Sequence, residues 1–369
     1  MLVNRIASEK LTERSYPRKE DARGSFFRDA TAIIHSYPFR RLKHKTQVFF
    51  SPKNDHICTR IEHVMHVATI SVTICKALSL DTDLAWAISL GHDLGHTPFG
   101  HTGEEIISGL LEKQGGFRHE AYSLRVVDSL INYGRGLNLT YAVRDGIISH
   151  CGEIFEQGFS PDFRPADPGA LEGREKYPAT WEGCAVRASD RIAYLGRDLE
   201  DALQLGVISK SEIPDSVVKG LGDSNSAMID TMVNDVIANA ENNEEIGFSD
   251  KVHEAMLELK DFNYTKIYKS RVLMDYHKLI ERVVTTLWQY LEKLFSEYSF
   301  ETEKYGREKT VLASRFADYL DKMKDFYINS EKSGTNVVLD YIAGMTDGYA
   351  LDCVSGLYIP DKNNQALYS

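Results

Sequence analysis

Residues 89–105, SLGHDLGHTPFGHTGEE, set three histidines, one aspartate and two glutamates among glycines and a proline. Of the 12 histidines in the chain, six (His63, His66, His92, His96, His101 and His119) fall between residues 63 and 119. Histidines with purely structural duties would scatter, so the cluster asks for a site. His63, the His92-Asp93 dipeptide and Asp190 stand out together. Neutral imidazoles with carboxylates suit a divalent cation such as Mn, Fe, Co, Ni or Zn, or Mg with more of its water kept. Two histidines and two aspartates leave coordination positions open, as a metal that holds water or polarises a phosphoryl oxygen requires. Adjacent helical residues point about 100° apart. His92 and Asp93 can therefore share an ion only if it sits off the helix end, where Gly91 and Gly95 would leave room.

The elements that must position these groups read as nearly all helix. RIEHVMHVATISVTICKAL carries Ile61, Val64, Ala68, Val72, Cys75 and Leu78 along one stripe. Asp81 and Asp83 open DLAWAISLGHDL, short and apolar enough to be a buried helix ending at the His-Asp pair. Thr97-Pro98-Phe99-Gly100 breaks the pattern, and a helix restarts near His101 and stops at Gly115-Gly116. RHEAYSLRVVDSLINY, YAVRDGIISHCG and TWEGCAVRASDRIAYLGRDLEDALQLG follow as helices, the last with Gly206 as its stop. Residues 156–178, rich in Pro, Gly and charge, predict a long surface loop or flap. Beyond residue 207 the helices are long and amphipathic, the longest expected over residues 265–298. The only β-like patch is TQVFF, residues 46–50. The tryptophans, Trp86, Trp181 and Trp288, are expected in the core.

Composition narrows the setting. The 369 residues are 43% hydrophobic and 26% charged, which fits a globular chain with a sizeable core. No apolar run approaches membrane-spanning length, and the charged N-terminus lacks the apolar stretch of a signal peptide, so no membrane partner and a cytoplasmic location are expected. Five scattered cysteines with no CxxC pair predict reduced thiols. A net charge of -11 speaks against a nucleic-acid partner but leaves room for a small anion met by local cations or a metal.

The order H…HD…D is the signature of the HD superfamily of metal-dependent phosphohydrolases. FRRLKHKTQVFF, TRIEHVMHVA, HDLGHTPFGHTGEE, FRHEAYSLRV, SDRIAYLGRDLEDA and DYIAGMTDGYAL, running from Phe39 to Leu351, resemble successive blocks of the deoxynucleoside triphosphate triphosphohydrolases. These include bacterial dGTPase-like proteins and the animal SAM-coupled HD dNTPase. A lone HD dipeptide is a weak signal, whereas six ordered blocks are a strong one.

The resemblance implies an all-α fold, with an N-terminal arm (1–24), an HD core (25–220) and a C-terminal helical lobe (221–369), and at most a minor β-hairpin. It implies hydrolysis of dGTP and other dNTPs to deoxynucleoside plus inorganic triphosphate, with attack at the α-phosphorus and one divalent ion per site. His63, His92, Asp93 and Asp190 match the family's metal ligands. His101 and Glu104 match its catalytic His-Glu pair, three apart and so on one helix face. A carboxylate beside an imidazole raises its pKa for proton transfer. His96 and His119 match histidines that face the phosphates. Arg60 and Arg191 fall where cations meet the triphosphate, and Tyr194 and Asp198 where triphosphate and sugar are held. Gln47 matches a glutamine that bonds the 3′ hydroxyl. A homo-oligomer (dimer, tetramer or hexamer) and a nucleotide activator at a subunit interface also belong to the family pattern.

Two blocks depart from that pattern. His66 stands where many bacterial members have glutamate and Val64 where they have serine, and FRHEAYS is closer to the animal enzyme's FEHE than to the bacterial FEGNAQS. Base preference and activation are therefore open. His66 is expected to pack or to support the site from behind. Residues 345–350, MTDGYA, are family-like without a physical role readable from sequence. Two other readings compete: an HD phosphodiesterase or nucleotidase releasing phosphate or a monophosphate, and a non-catalytic nucleotide sensor. The complete metal set and the intact His-Glu pair weigh against the sensor.

Overall fold

The computed structural model describes residues 2–19, 21–50, 54, 56–151, 155–170, 177–330 and 334–359. In chain order the α-helices are α1 (Ser8–Leu11), α2 (Ser25–Ile34), α3 (Tyr37–Arg41), α4 (Arg60–Ala77), α5 (Thr82–Gly91), α6 (Gly100–Leu110), α7 (His119–Arg125), α8 (Tyr141–Ile148), α9 (Trp181–Gln204), α10 (Asp215–Leu221), α11 (Asn225–Asn243), α12 (Asp250–Phe262), α13 (Arg271–Tyr298), α14 (Val311–Asn329), α15 (Gly334–Ala343) and α16 (Asp347–Tyr358). The fold is all-α, as expected.

Local chemistry starts the helices that matter most. Thr59 and Glu62 form a capping box at the head of α4, satisfying N–H groups the first turn cannot pair. Asp81 accepts from the N–H groups of Asp83 and Leu84 and opens α5. The Thr180 hydroxyl accepts from Gly183 at the head of α9. α5 is the buried hub: α2, α4, α8 and α9 all pack on it, and Leu84, Ala85, Ala87, Ile88 and Leu90 are sealed from solvent. α9 packs along α4 and supplies apolar Val186, Ile192 and Leu195 to the same core. α13 packs against α6, α15 and α16, which ties the C-terminal helices to the element after the His-Asp pair.

Three expectations need correction. Residues 46–50 form no strand; Thr46 makes a single antiparallel bridge to Thr59. The sheet among the described residues pairs Gly158–Phe159 with Ile246–Gly247, from distant parts of the chain rather than one hairpin. The expected helix over 265–298 is interrupted: a π-helix covers Asn263–Tyr268, and Ser270 caps a fresh start at Arg271. A serine whose hydroxyl accepts the Leu273 N–H offers the backbone an alternative to continuing the helix. The 156–178 segment is anchored at its start, where Phe159 is fully buried. Residues 171–176 of that segment, and 51–53 and 55 after the β-like patch, lie outside the described residues. Trp181 and Trp288 are buried, and Trp86 is partly so.

Candidate active site

The first turn of α4 presents Arg60 and His63 one turn apart, facing the end of α5. His92 caps α5. Its Nδ1–H donates to the Ser89 carbonyl at 2.6 Å, which fixes the tautomer and leaves the Nε2 lone pair aimed inward. That Nε2 is buried with no hydrogen-bond partner. Asp93 lies just past the helix end. One of its oxygens meets Arg60 Nη1 at 2.6 Å, and the other meets His96 Nε2 at 3.2 Å. From α9, Asp190 reaches His63 Nε2 at 3.0 Å. Ligating atoms of His63, His92 and Asp190 all lie within 4.8 Å of one another, as do those of His92, Asp93 and His150. An orphaned imidazole nitrogen beside two carboxylates is a donor set that fits a divalent cation.

Electrostatics favour the charge states a cation wants. Burial opposes a charge on Asp190, but the hydrogen bond and charge of His63 outweigh it and hold the carboxyl below its usual range. Burial likewise opposes a charge on Asp93, and the His96 ring and Arg60 outweigh it. Burial pushes His92 down, and with Arg60 nearby does the same to His96, so both rings stay neutral near pH 7.

Glu104 takes a different partner from the one expected. His101 Nδ1 is 3.6 Å from Glu104 Oε2, and the His101 side chain is 67% exposed. The buried His119 meets Glu104 more closely: Nδ1 is 3.0 Å from Oε2, and the backbone N–H donates to Oε1 at 3.0 Å. Burial disfavours charge on both groups, yet Cys151 and Glu104 raise His119 and His119 lowers Glu104, so the pair is held ionised. His96 and His119 stack with ring centres 4.0 Å apart.

Most of these groups line one cavity of about 380 Å³, with Glu104 held behind His119. Gln47, Arg60, His63, Asp93, His96, His101, His119, Asp190, Arg191, Tyr194 and Asp198 all border it; His92 sits directly behind, and His66 does not line it. A larger cavity of about 970 Å³, against α3 and α14–α16, contains no histidine–carboxylate cluster, and its one acid, Asp340, is tied to Arg125. Size is therefore a poor guide to the chemistry here.

A model of the HD domain matches residues 60–194, and a model of the phosphohydrolase-associated domain matches residues 246–355. The chain is 40% identical to a deoxyguanosinetriphosphate triphosphohydrolase-like protein of Caldanaerobacter subterraneus subsp. tengcongensis, over 97% of this chain and 93% of that one. Proteins of the same name from Desulfatibacillum aliphaticivorans (38% identical, 92% and 88% covered) and Clostridium tetani (36% identical, 93% and 88% covered) are also similar. The chain belongs to the deoxyguanosinetriphosphate triphosphohydrolase-like family of HD-domain proteins.

Within this HD-domain chain the expected substrate contacts divide. Gln47 Oε1 is buried at the cavity without a hydrogen-bond partner. The arginines are already engaged: Arg60 holds Asp93, and Arg191 holds the side chain and carbonyl of Glu156 while lying over the Phe155 and Phe159 rings. Tyr268 donates to Asp198 at 2.5 Å. Several lining residues had gone unnoticed: His150, Cys151, Phe155, Arg187, Lys260, Tyr264 and Tyr268. The signal for His150 was present, since SHCG at the end of the apolar helix α8 repeats the placement of GHDLG at the end of α5. His150 Nδ1 bonds the carbonyl three residues back, at 2.7 Å from Ile147, as His92 does with Ser89.

Two further features hold the HD-domain site in shape. Gly91 and Gly95 do not make room for an ion. A Cβ at Gly95 would come 2.2 Å from the Ser123 backbone nitrogen, and one at Gly91 would come 2.6 Å from the Ile147 side chain. They let α7 and α8 pack close against the HD turn. Residues 345–350 also acquire a role: the buried Asp347 carboxylate accepts the backbone N–H groups of Thr46 and Phe99, both at 2.8 Å. It thereby fastens the segment before Gln47 to the turn between the two histidine-bearing stretches, where Phe99 has φ 66.

Proposed function

We propose that the chain hydrolyses deoxynucleoside triphosphates, dGTP and other dNTPs, to the deoxynucleoside and inorganic triphosphate, with one divalent ion per site. The observation that carries this reading is the convergence of the His63, His92, Asp93 and Asp190 donors with the Glu104–His119 pair on one cavity. Membership of an HD-domain hydrolase family supports it, and the relatives' printed name supplies the substrate class.

His63, His92, Asp93 and Asp190 would hold the ion, which when bound supplies Lewis-acid polarisation of a phosphoryl oxygen or lowers the pKa of a water. Arg60 positions the Asp93 carboxylate. Glu104 orients His119 and favours its protonated form, so His119 can give a proton to a leaving 5′ oxygen. His101, at the exposed side of the same carboxylate, can exchange that proton with solvent. His96, neutral and tied to Asp93, contributes a polar wall to the triphosphate. Gln47 Oε1 is free to accept the sugar 3′ hydroxyl. Tyr194 and Asp198 follow Asp190 at successive turns of α9 and extend the same wall. Arg191 meets phosphate oxygens by exchanging them for Glu156.

A homo-oligomer with a nucleotide activator at a subunit interface belongs to the same proposal. The head of α13 leaves Val272, Met274 and Leu279 exposed, as an interface would use them. Among the described residues no helix is long and apolar enough to cross a membrane. The test is hydrolysis of all four dNTPs, singly and mixed, with Mn, Mg and Co, the products being separated. Intact triphosphate plus deoxynucleoside supports the proposal; orthophosphate or a monophosphate as sole phosphorus product moves the site to a phosphatase or phosphodiesterase.

A further inference from the structure

A second group of ligating atoms borders the cavity beside the four His and Asp donors. His119 Nε2, His150 Nε2 and Cys151 Sγ lie within 4.8 Å of one another. Each ring is fixed from behind: His119 Nδ1 by Glu104 Oε2 at 3.0 Å, His150 Nδ1 by the Ile147 carbonyl at 2.7 Å. A histidine that donates from Nδ1 to a carboxylate or carbonyl is oriented as a metal ligand through Nε2. The two Nε2 atoms face each other at 3.3 Å, and Cys151 Sγ lies 3.3 Å from His119 Nε2. Two imidazole Nε2 atoms at that distance need a proton or a cation between them. The rings cannot turn away without breaking their Nδ1 bonds, and both are buried.

Metal geometry accounts for the spacing. Two nitrogens about 2.0–2.1 Å from a tetrahedral ion lie about 3.3–3.4 Å apart, and such a nitrogen lies about 3.6 Å from a thiolate sulfur at about 2.3 Å. The first matches the His119–His150 distance, and the second needs only a small opening at Cys151. We propose that His119, His150 and Cys151 form a second metal site, suited to a thiophilic ion such as zinc or cobalt, with its fourth position open to the shared cavity. Binding forms two metal–nitrogen bonds and one metal–sulfur bond and releases to solvent both the Cys151 thiol proton and the proton that the ionised His119 carries on Nε2, with no change of oxidation state. Whether the ion binds is read from metal content and not from turnover; once bound it occupies the His119 Nε2 that the hydrolysis reading uses as proton donor, so a chain loaded at this site would have that donor withheld from the reaction.

The experiment titrates cobalt into the metal-stripped full chain while recording the thiolate-to-cobalt charge-transfer absorption and, after dialysis, the bound metal. Wild type is expected to show the band and to bind one ion more per chain than Cys151→Ala, which lacks the band yet keeps the ion of the His63 set. His150→Gln should weaken the second ion at least tenfold. Titration of wild type without a thiolate band overturns the proposal, and so does an unchanged metal count in Cys151→Ala; a shared proton would then explain the facing rings. Alkylation gives a check that needs no variant. Cys151 is the one cysteine that is not buried, so a thiol reagent should modify it in the folded chain, and zinc should block that modification. Alkylation unaffected by zinc overturns the site. A chain with the band but no turnover of any dNTP even when this site is empty keeps this site and loses the hydrolysis; turnover without the band does the reverse.

Discussion

Asp347 lies far along the chain from the histidine cluster, yet its carboxylate accepts two backbone N–H groups, from Thr46 and Phe99, at 2.8 Å each, and is 3% exposed. Replacing it by Ala removes both bonds and strands both donors in a dry environment. A hydrogen bond to a charged acceptor is worth about 1.5–3 kcal/mol net, so Asp347→Ala is expected to cost about 3–5 kcal/mol of stability. In urea this appears as a lower midpoint at unchanged m. Asp347→Asn keeps one acceptor oxygen and should lose about half as much. Because Gln47 follows Thr46 and α6 follows Phe99, both variants should also lower turnover more than tenfold in the protein that remains folded, while the metal donors on α4, α5 and α9 keep their ion. A stability loss under about 1 kcal/mol for Asp347→Ala refutes the energetic reasoning. Unaltered turnover in the folded fraction refutes the positioning role.

Asp93→Ala removes a proposed metal donor and leaves the 1%-exposed Arg60 without its carboxylate, so metal content and dNTP turnover should vanish and stability should fall by about 3–5 kcal/mol. Full activity with bound metal would contradict the assignment of that donor. Gln47→Ala should reduce discrimination between a deoxynucleotide and its 3′-deoxy analogue about tenfold or more, measured as the ratio of kcat/KM, because the free acceptor at the cavity is gone; an unchanged ratio contradicts its sugar contact. Burial pushes the Asp198 carboxyl up to about 7, so the folded state keeps a proton that the unfolded chain loses above about pH 4. Its contribution to stability is therefore full below that pH and is lost as pH rises towards 7. Asp198→Asn should flatten this part of the profile in urea titrations at several pH values, and a profile identical to wild type contradicts it.

The helices that carry the donors were legible because they are long, periodic and capped: Thr59 with Glu62, Asp81 and Thr180 start α4, α5 and α9 where spacing placed them. The histidines and aspartates that the structure brings together were legible as residue types in order. What escaped depends on contacts between distant segments. Glu104 can reach His101 on its own helix, but tertiary packing brings buried His119 closer, and spacing along one helix carries no word of that competitor. Gly95 looked like space for an ion, whereas the backbone of Ser123 occupies that space. Residues 46–50 have the β-branched and aromatic content of a strand but, among the described residues, find only Thr59 as a bridge partner. Asp347 was unreadable because both its partners are backbone groups, which have no residue type to notice.

The most direct test of the central claim is the fate of the phosphorus when metal-loaded protein meets a dNTP. Ion-exchange separation or phosphorus NMR of the reaction should show inorganic triphosphate and deoxynucleoside in equal amounts, with neither in the Asp93→Ala protein. Accumulation of orthophosphate, pyrophosphate or a deoxynucleoside monophosphate in their place, or no turnover of any dNTP with Mn, Mg or Co, would contradict it.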